Sequence, residues 1–177
     1  MTPDEIVAKF LAALDNFDPI IDQPSDSYLT RLREAIAPLL LQIPYDGTGG
    51  THNLIGIIWS KPVYLKRYGK AFPEPTRVGA YDLDIDNEAT AVVRARLEAA
   101  HKARRADRAT YDTARRETTQ FVLSVVPDTW VRELRDQETI YSKVDPRDLL
   151  ARLQAECTVR HALDLLALHN EMQRYHM

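Results

Sequence analysis

Cysteine is almost missing from this chain: Cys157 is the only one among 177 residues. A lone thiol excludes an intramolecular disulfide framework and a cysteine-rich zinc module, and it predicts a reducing compartment, with the cytoplasm as the expected location. Long apolar runs are missing too. No stretch approaches the ~20 apolar residues of a membrane span. The opening MTPDEIVAKFLAALDNF carries acids and a single lysine, unlike the basic start and apolar core of a secretory signal. No membrane partner is therefore expected. Basic residues are scarce at the start, where residues 1–48 hold three Lys or Arg against eight Asp or Glu, a balance of −5.

What is present is an ordinary globular composition, 45% apolar and 28% charged, in a chain long enough to bury a core without disulfides. The patterning predicts an all-α helical bundle, with two helical lobes joined by a long Ala-rich helix as the looser variant. Three regions follow: an acidic helical segment at 1–48, a loop-rich segment with short helices at 49–86, and a helical region at 87–177, together forming one compact domain. Thr2 and Pro3 read as the cap and first residue of a helix through Ile6, Phe10, Ala13 and Leu14. Ser25 or Asp26 caps a second helix through Leu29, Leu32, Ile36, Leu39 and Leu40, with a kink or early stop expected at Pro38.

NLIGIIWS at 53–60 reads as a short buried helix, because a single strand would have no partner. Pro62 opens a further turn through Val63, Leu65 and Tyr68, and residues 69–86 form the longest loop. From Asn87 to Val126 neither Pro nor Gly interrupts the chain, which predicts one long rod or two helices bent near Asp107. Its stripe from Val92 through Ala99, Ala103, Ala106 and Ala114 to Phe121 suits close approach by another helix. Asp145 and Pro146 start the next helix, and a last one covers roughly 160–175.

No catalytic, cofactor or metal signature completes itself, so no enzyme and no small-molecule substrate are expected. DLDIDNE at 82–88 begins like a calcium loop, but Asn87 stands where the loop needs Gly and Val93 where it needs Glu. GTGG lacks the Lys-Ser or Lys-Thr of a phosphate cradle. Cys157, His161 and His169 fall on neighbouring helical turns without a fourth ligand, and no serine sits in a nucleophile elbow.

One segment stands out. Residues 94–116 hold Arg94, Arg96, Lys102, Arg104, Arg105, Arg108, Arg115 and Arg116 against Glu98, Asp107 and Asp112, a local charge of +5. The interleaved acids favour a charged solvent face over direct RNA contact. These eight residues are the candidate assembly or RNA-contact surface. Trp59, Phe121, Trp130, Leu149 and Leu150 are the expected core anchors.

Four features in order, IPYDGTGGTHNLIGII at 43–58, YLKRYGKAFPEP at 64–75, the basic Ala-rich helix entering FVLSVVPDTWVREL, and YSKVDPRDLLARLQ at 141–154, carry a resemblance over residues 25–175. Together they resemble the Gag proteins of copia-type LTR retrotransposons. The resemblance implies a helical capsid region that associates with copies of itself around element RNA. The chain departs from such proteins in lacking a Cys-Cys-His-Cys knuckle, an Asp-Ser-Gly or Asp-Thr-Gly protease signature and the retroviral capsid homology motif. The leading expectation is a Gag-like structural protein forming homo-oligomers and holding RNA nonspecifically. The alternative is a helical adaptor that binds a protein or nucleic-acid partner without forming particles.

Overall fold

The computed structural model describes residues 1–19, 25–48, 51–77, 79 and 90–175, and among them the fold is all-α. Helix α1 (Pro3–Asp15) starts as its sequence directs. Thr2 Oγ1 accepts from the Glu5 amide at 3.3 Å while the Glu5 carboxylate accepts from the Thr2 amide at 2.8 Å, a capping box that satisfies two otherwise orphaned donors. Helix α2 (Asp26–Gln42) is capped by Ser25, whose Oγ accepts from the Tyr28 amide at 3.2 Å. Leu29, Leu32, Ile36 and Leu40 form its buried stripe. Pro38 does not stop this helix. It and Glu34, whose carbonyl loses its helical donor to the proline, both lie on the exposed side, where water can serve that carbonyl.

Residues 54–58 are buried under the end of α2, with the Leu54 amide donating to the Leu40 carbonyl. The expected short helix is here a single 3-10 turn, Ile55–Ile57. In α3 (Lys61–Tyr68) the covered side chain is Tyr64, whereas Val63 and Leu65 are exposed. The large tyrosine ring wins the inward position by joining an aromatic cluster around Phe72. Tyr64, Tyr45 and Tyr111 lie 5.3, 6.0 and 6.3 Å from the Phe72 ring centroid. Gly56 is needed beneath that ring, since a Cβ there would sit 2.2 Å from Phe72 Cδ2.

Helix α4 (Ala91–Val125) is one uninterrupted helix of about 50 Å, passing through Asp107 without a break. Residues 87–89 of the expected rod and the calcium-like stretch at 82–88 lie outside the described residues, as do Gly49 and Gly50. Two 3-10 turns, Asp128–Trp130 and Arg132–Leu134, connect it to α5 (Pro146–Tyr175). Asp145 caps α5 by accepting from the Arg147 amide at 2.9 Å. The two helices expected across 145–175 are therefore one, because nothing between Cys157 and Arg160 breaks helical geometry.

The bundle is made by α1, α2, the second half of α4 and the first half of α5. Phe10 and Phe17 pack edge-on against Phe121 at 6.4 and 5.6 Å. Phe121, Leu149 and Leu150 are buried as expected, but Trp59 and Trp130 are only partly covered. Trp59 closes the rim, with the Arg33 and Arg67 guanidiniums 5.8 and 5.4 Å from its ring centroid. Arg147 locks the base of α5 to the loop: Nε donates to the Gly56 carbonyl at 2.8 Å, and Nη1 donates to Glu74 Oε1 at 2.7 Å. This bond holds the Glu74 carboxyl below the usual glutamate range against the opposing effect of burial.

Helix directions follow from the same contacts. Arg147 meets the turn just after α2, while Gln154 Nε2 donates to Asp26 Oδ1 at the start of α2, so α5 runs antiparallel to α2. Arg115 pairs with Asp145 at 3.5 Å and Arg152 with Glu133 at 3.0 Å, so α4 and α5 run the same way. The unpacked half of α4 thus leaves the bundle at the end where α2 stops. The unpacked half of α5 leaves at the end where α2 begins.

Candidate functional site

The basic segment lies on the half of α4 that nothing covers. Every residue from 91 to 100 is exposed, and burial becomes continuous only from Tyr111 onward. The small-residue stripe does not receive a second helix along this half: Val92 is 79% exposed, and Ala99, Ala103 and Ala106 are exposed as well. With six basic and two acidic residues, the arm at 91–110 carries a net charge of +4 over about 30 Å.

The eight candidate basic residues divide into two groups. Arg94, Arg96, Lys102, Arg104 and Arg105 are exposed and make no ion pair among the described residues. Arg108, Arg115 and Arg116 are engaged with partners in the protein, Arg116 from an exposed position. Arg108 Nε donates to Asp112 Oδ2 at 2.7 Å and its Nη1 to the Pro75 carbonyl at 2.7 Å, and its guanidinium lies 5.4 Å from the Tyr111 ring centroid. Arg115 donates to the Lys143 carbonyl at 3.3 Å and pairs with Asp145, while Arg116 pairs at 2.9 Å with buried Glu117. Spacing alone does not separate these groups, because Pro75, Lys143 and Asp145 reach α4 only through the fold.

The opposite end of the molecule carries three exposed carboxylates on α1 and α2. Asp15 and Asp18 close α1 and Asp26 opens α2 there, all three exposed. Asp18 lies 3.7 Å from Arg31, and both side chains are largely open to solvent, so that pair leaves the carboxylate available to other cations. From this end emerges the second arm, the α5 half from about 158 onward. Val159, Leu163, Leu165, Leu166, Leu168 and Met172 are each between 53% and 58% exposed. Sequence reasoning places a helix here but assigns these leucines no role. The detectable signal is a loss of phase, since the apolar residues beyond Cys157 spread round the helix and no longer gather on the side marked by Leu149, Leu150, Leu153 and Cys157.

A cavity of about 670 Å³ lies between the second half of α4 and the turn at 139–144, lined in part by Thr113, Thr119, Leu123, Ile140 and Val144. Neither His101 nor His161 belongs to it. Ser124 Oγ donates back to the Gln120 carbonyl at 2.8 Å. Tyr141 donates to Asp128 Oδ1 at 2.6 Å, and burial with that neighbouring carboxylate pushes its hydroxyl up to about 12. Cys157 is buried in the core, which raises its thiol, while His161 and His169 stand on the exposed arm. No group of three His, Cys, Asp or Glu side chains suited to a metal forms among the described residues. No described helix is long and apolar enough to cross a membrane. In comparisons with known proteins, no protein-family model, curated protein or solved structure matches the chain.

Proposed function

We propose that this chain is a Gag-like structural protein that associates with copies of itself into large assemblies. The observation that carries the reading is the polarity of the bundle. A +4 arm leaves one end, and Asp15, Asp18 and Asp26 stand exposed at the other. A patch that complements a different patch on the next copy makes a heterologous contact, and such contacts generate rings, shells or filaments. The four ordered sequence features resembling copia-type Gag proteins point the same way. Within such an assembly the five exposed cations of the arm also suit the phosphates of packaged RNA, bound without regard to sequence.

The test is light scattering with negative-stain microscopy across salt concentrations, on wild type and on the double variant Arg104→Glu, Arg105→Glu. Particles that dissolve as salt rises and fail to form in the variant support the proposal. A helical adaptor would instead keep its oligomeric state in the variant and lose affinity for a protein or nucleic-acid partner.

A further inference from the structure

We propose that the rim around Trp59 binds single-stranded nucleic acid, its rings stacking bases while Lys66, Arg67 and Lys70 hold phosphates. The site belongs to one copy of the chain, so it stands or falls apart from self-association. Its first mark is charge. Residues 47–73 contain four Lys or Arg and no Asp or Glu, a local charge of +4. The α4 arm reaches the same net charge only with six basic residues, because two acids are interleaved there. Lys66, Arg67 and Lys70 are exposed and make no ion pair among the described residues. Lys61 alone of the four faces a carboxylate, Glu74 at 3.8 Å, and Glu74 is held more closely by Arg147 at 2.7 Å.

The second mark is the rings that these cations flank. The Arg67 guanidinium lies over Trp59 and Tyr68, 5.4 and 5.9 Å from their centroids, and the His52 and Tyr68 centroids are 4.1 Å apart. Trp59, Tyr68 and His52 thus form one strip, and each is partly exposed. Arg33, also over Trp59, is tethered by donating from Nη1 to Gln154 at 3.3 Å, whereas Arg67 is held by the rings alone. An exposed cation–π contact is weaker than the stacking of a base, so a base can take the ring and release the Arg67 guanidinium to a phosphate oxygen. A single strand supplies both groups, since its bases are free to stack and its phosphates run beside them. A duplex keeps its bases stacked on one another and offers the strip phosphates only. An anionic membrane is a poorer occupant. Helix α3 has eight residues, and its exposed Val63 and Leu65 point about 160° apart, so no single face enters lipid.

The experiment titrates a single-stranded oligouridylate of about 12 nucleotides into Trp130→Phe protein, in which Trp59 is the one remaining tryptophan. Stacking should quench Trp59 fluorescence. The affinity should fall with salt at a logarithmic slope of about −2, from three phosphates at about −0.7 each. Adding Lys66→Glu with Lys70→Glu should weaken binding at least ~10-fold at low salt and bring the slope to about −0.7, with the melting temperature unchanged because both side chains are exposed. Tyr68→Leu should weaken it at least ~5-fold through the lost ring. Arg104→Glu with Arg105→Glu should leave the quench and its slope in place. Absence of quenching at low salt overturns the inference, as does quenching that survives both Lys reversals, disappears with the α4 arm pair, or is equalled by a duplex of the same length. Phosphatidylserine vesicles that shift Trp59 emission where the oligouridylate does not would likewise overturn it and make the rim a membrane surface. Quenching without particles at any salt would sink the proposed function and keep this site, and particles without quenching would do the reverse.

Discussion

The half of α4 inside the bundle and the half outside it share a backbone geometry and little else. From Tyr111 to Val125 the helix presents Ala114, Phe121, Val122 and Val125 to the bundle and Tyr111 to Phe72, and even Thr118 is fully covered, its hydroxyl donating to the Ala114 carbonyl at 2.7 Å. From Ala91 to Ala106 it presents alanine, charge and the exposed Val92, Val93 and Leu97 to water, with His101 alone partly covered. A helix exposed all round gains nothing from tertiary burial and persists through the propensity of Ala, Arg, Glu and Lys and through continuity with its anchored half. One half therefore holds the fold together, and the other is free to meet a partner. α5 repeats the division in reverse order.

Substitutions should separate the two halves sharply. Phe121→Ala removes the ring that Phe10 and Phe17 pack against, and should cost about 3–5 kcal/mol, lowering the melting temperature by about 10 °C or more. Leu166→Ala on the α5 arm should change the melting temperature of the dilute protein by less than ~2 °C. A comparable loss from both would erase the distinction between bundle and arm. Next in size, Arg147→Met should cost about 2–3 kcal/mol in thermal or denaturant unfolding, because it abandons the Gly56 carbonyl and Glu74 together.

How much of this was legible in the sequence depended on range. The caps at Thr2, Ser25 and Asp145 and the buried stripe of α2 could be read because their causes lie within one or two turns of chain. Which half of the α4 stripe is covered could not, since Ala99 and Ala114 occupy similar local patterns and only the fold brings α1 to one of them. For the same reason Arg108 and Arg104 looked equivalent as candidate contacts. Pro75 and Asp112 take the first, and nothing described takes the second. Trp59 and Trp130 looked like core anchors on residue type alone, yet their polar-edged indoles settle at the rim.

A smaller effect sharpens the comparison through pH. Glu74 has its carboxyl pKa lowered mainly by the Arg147 bond, so folding favours its ionised form. Its stabilising contribution is complete above the ordinary glutamate range and is lost as pH falls through the lowered native value. Denaturant unfolding should thus show wild type losing part of its advantage over Glu74→Gln as the solution is acidified below that range. An advantage that grows on acidification would contradict the Arg147 clamp. The smallest stability effect should come from Arg104→Glu with Arg105→Glu, within about 0.5 kcal/mol of wild type, because both side chains leave the bundle untouched.

That double variant also carries the most direct test of the account, since it takes the α4 arm from a net charge of +4 to 0 while sparing the core. Light scattering during a salt titration of wild type and variant, at matched concentration, is the measurement. The account predicts large wild-type assemblies at low salt that shrink as salt rises, and a variant that forms none at any salt while melting at the wild-type temperature. Assemblies that persist in the variant with an unchanged salt response would contradict the assignment of the basic arm as the contact that joins one copy to the next.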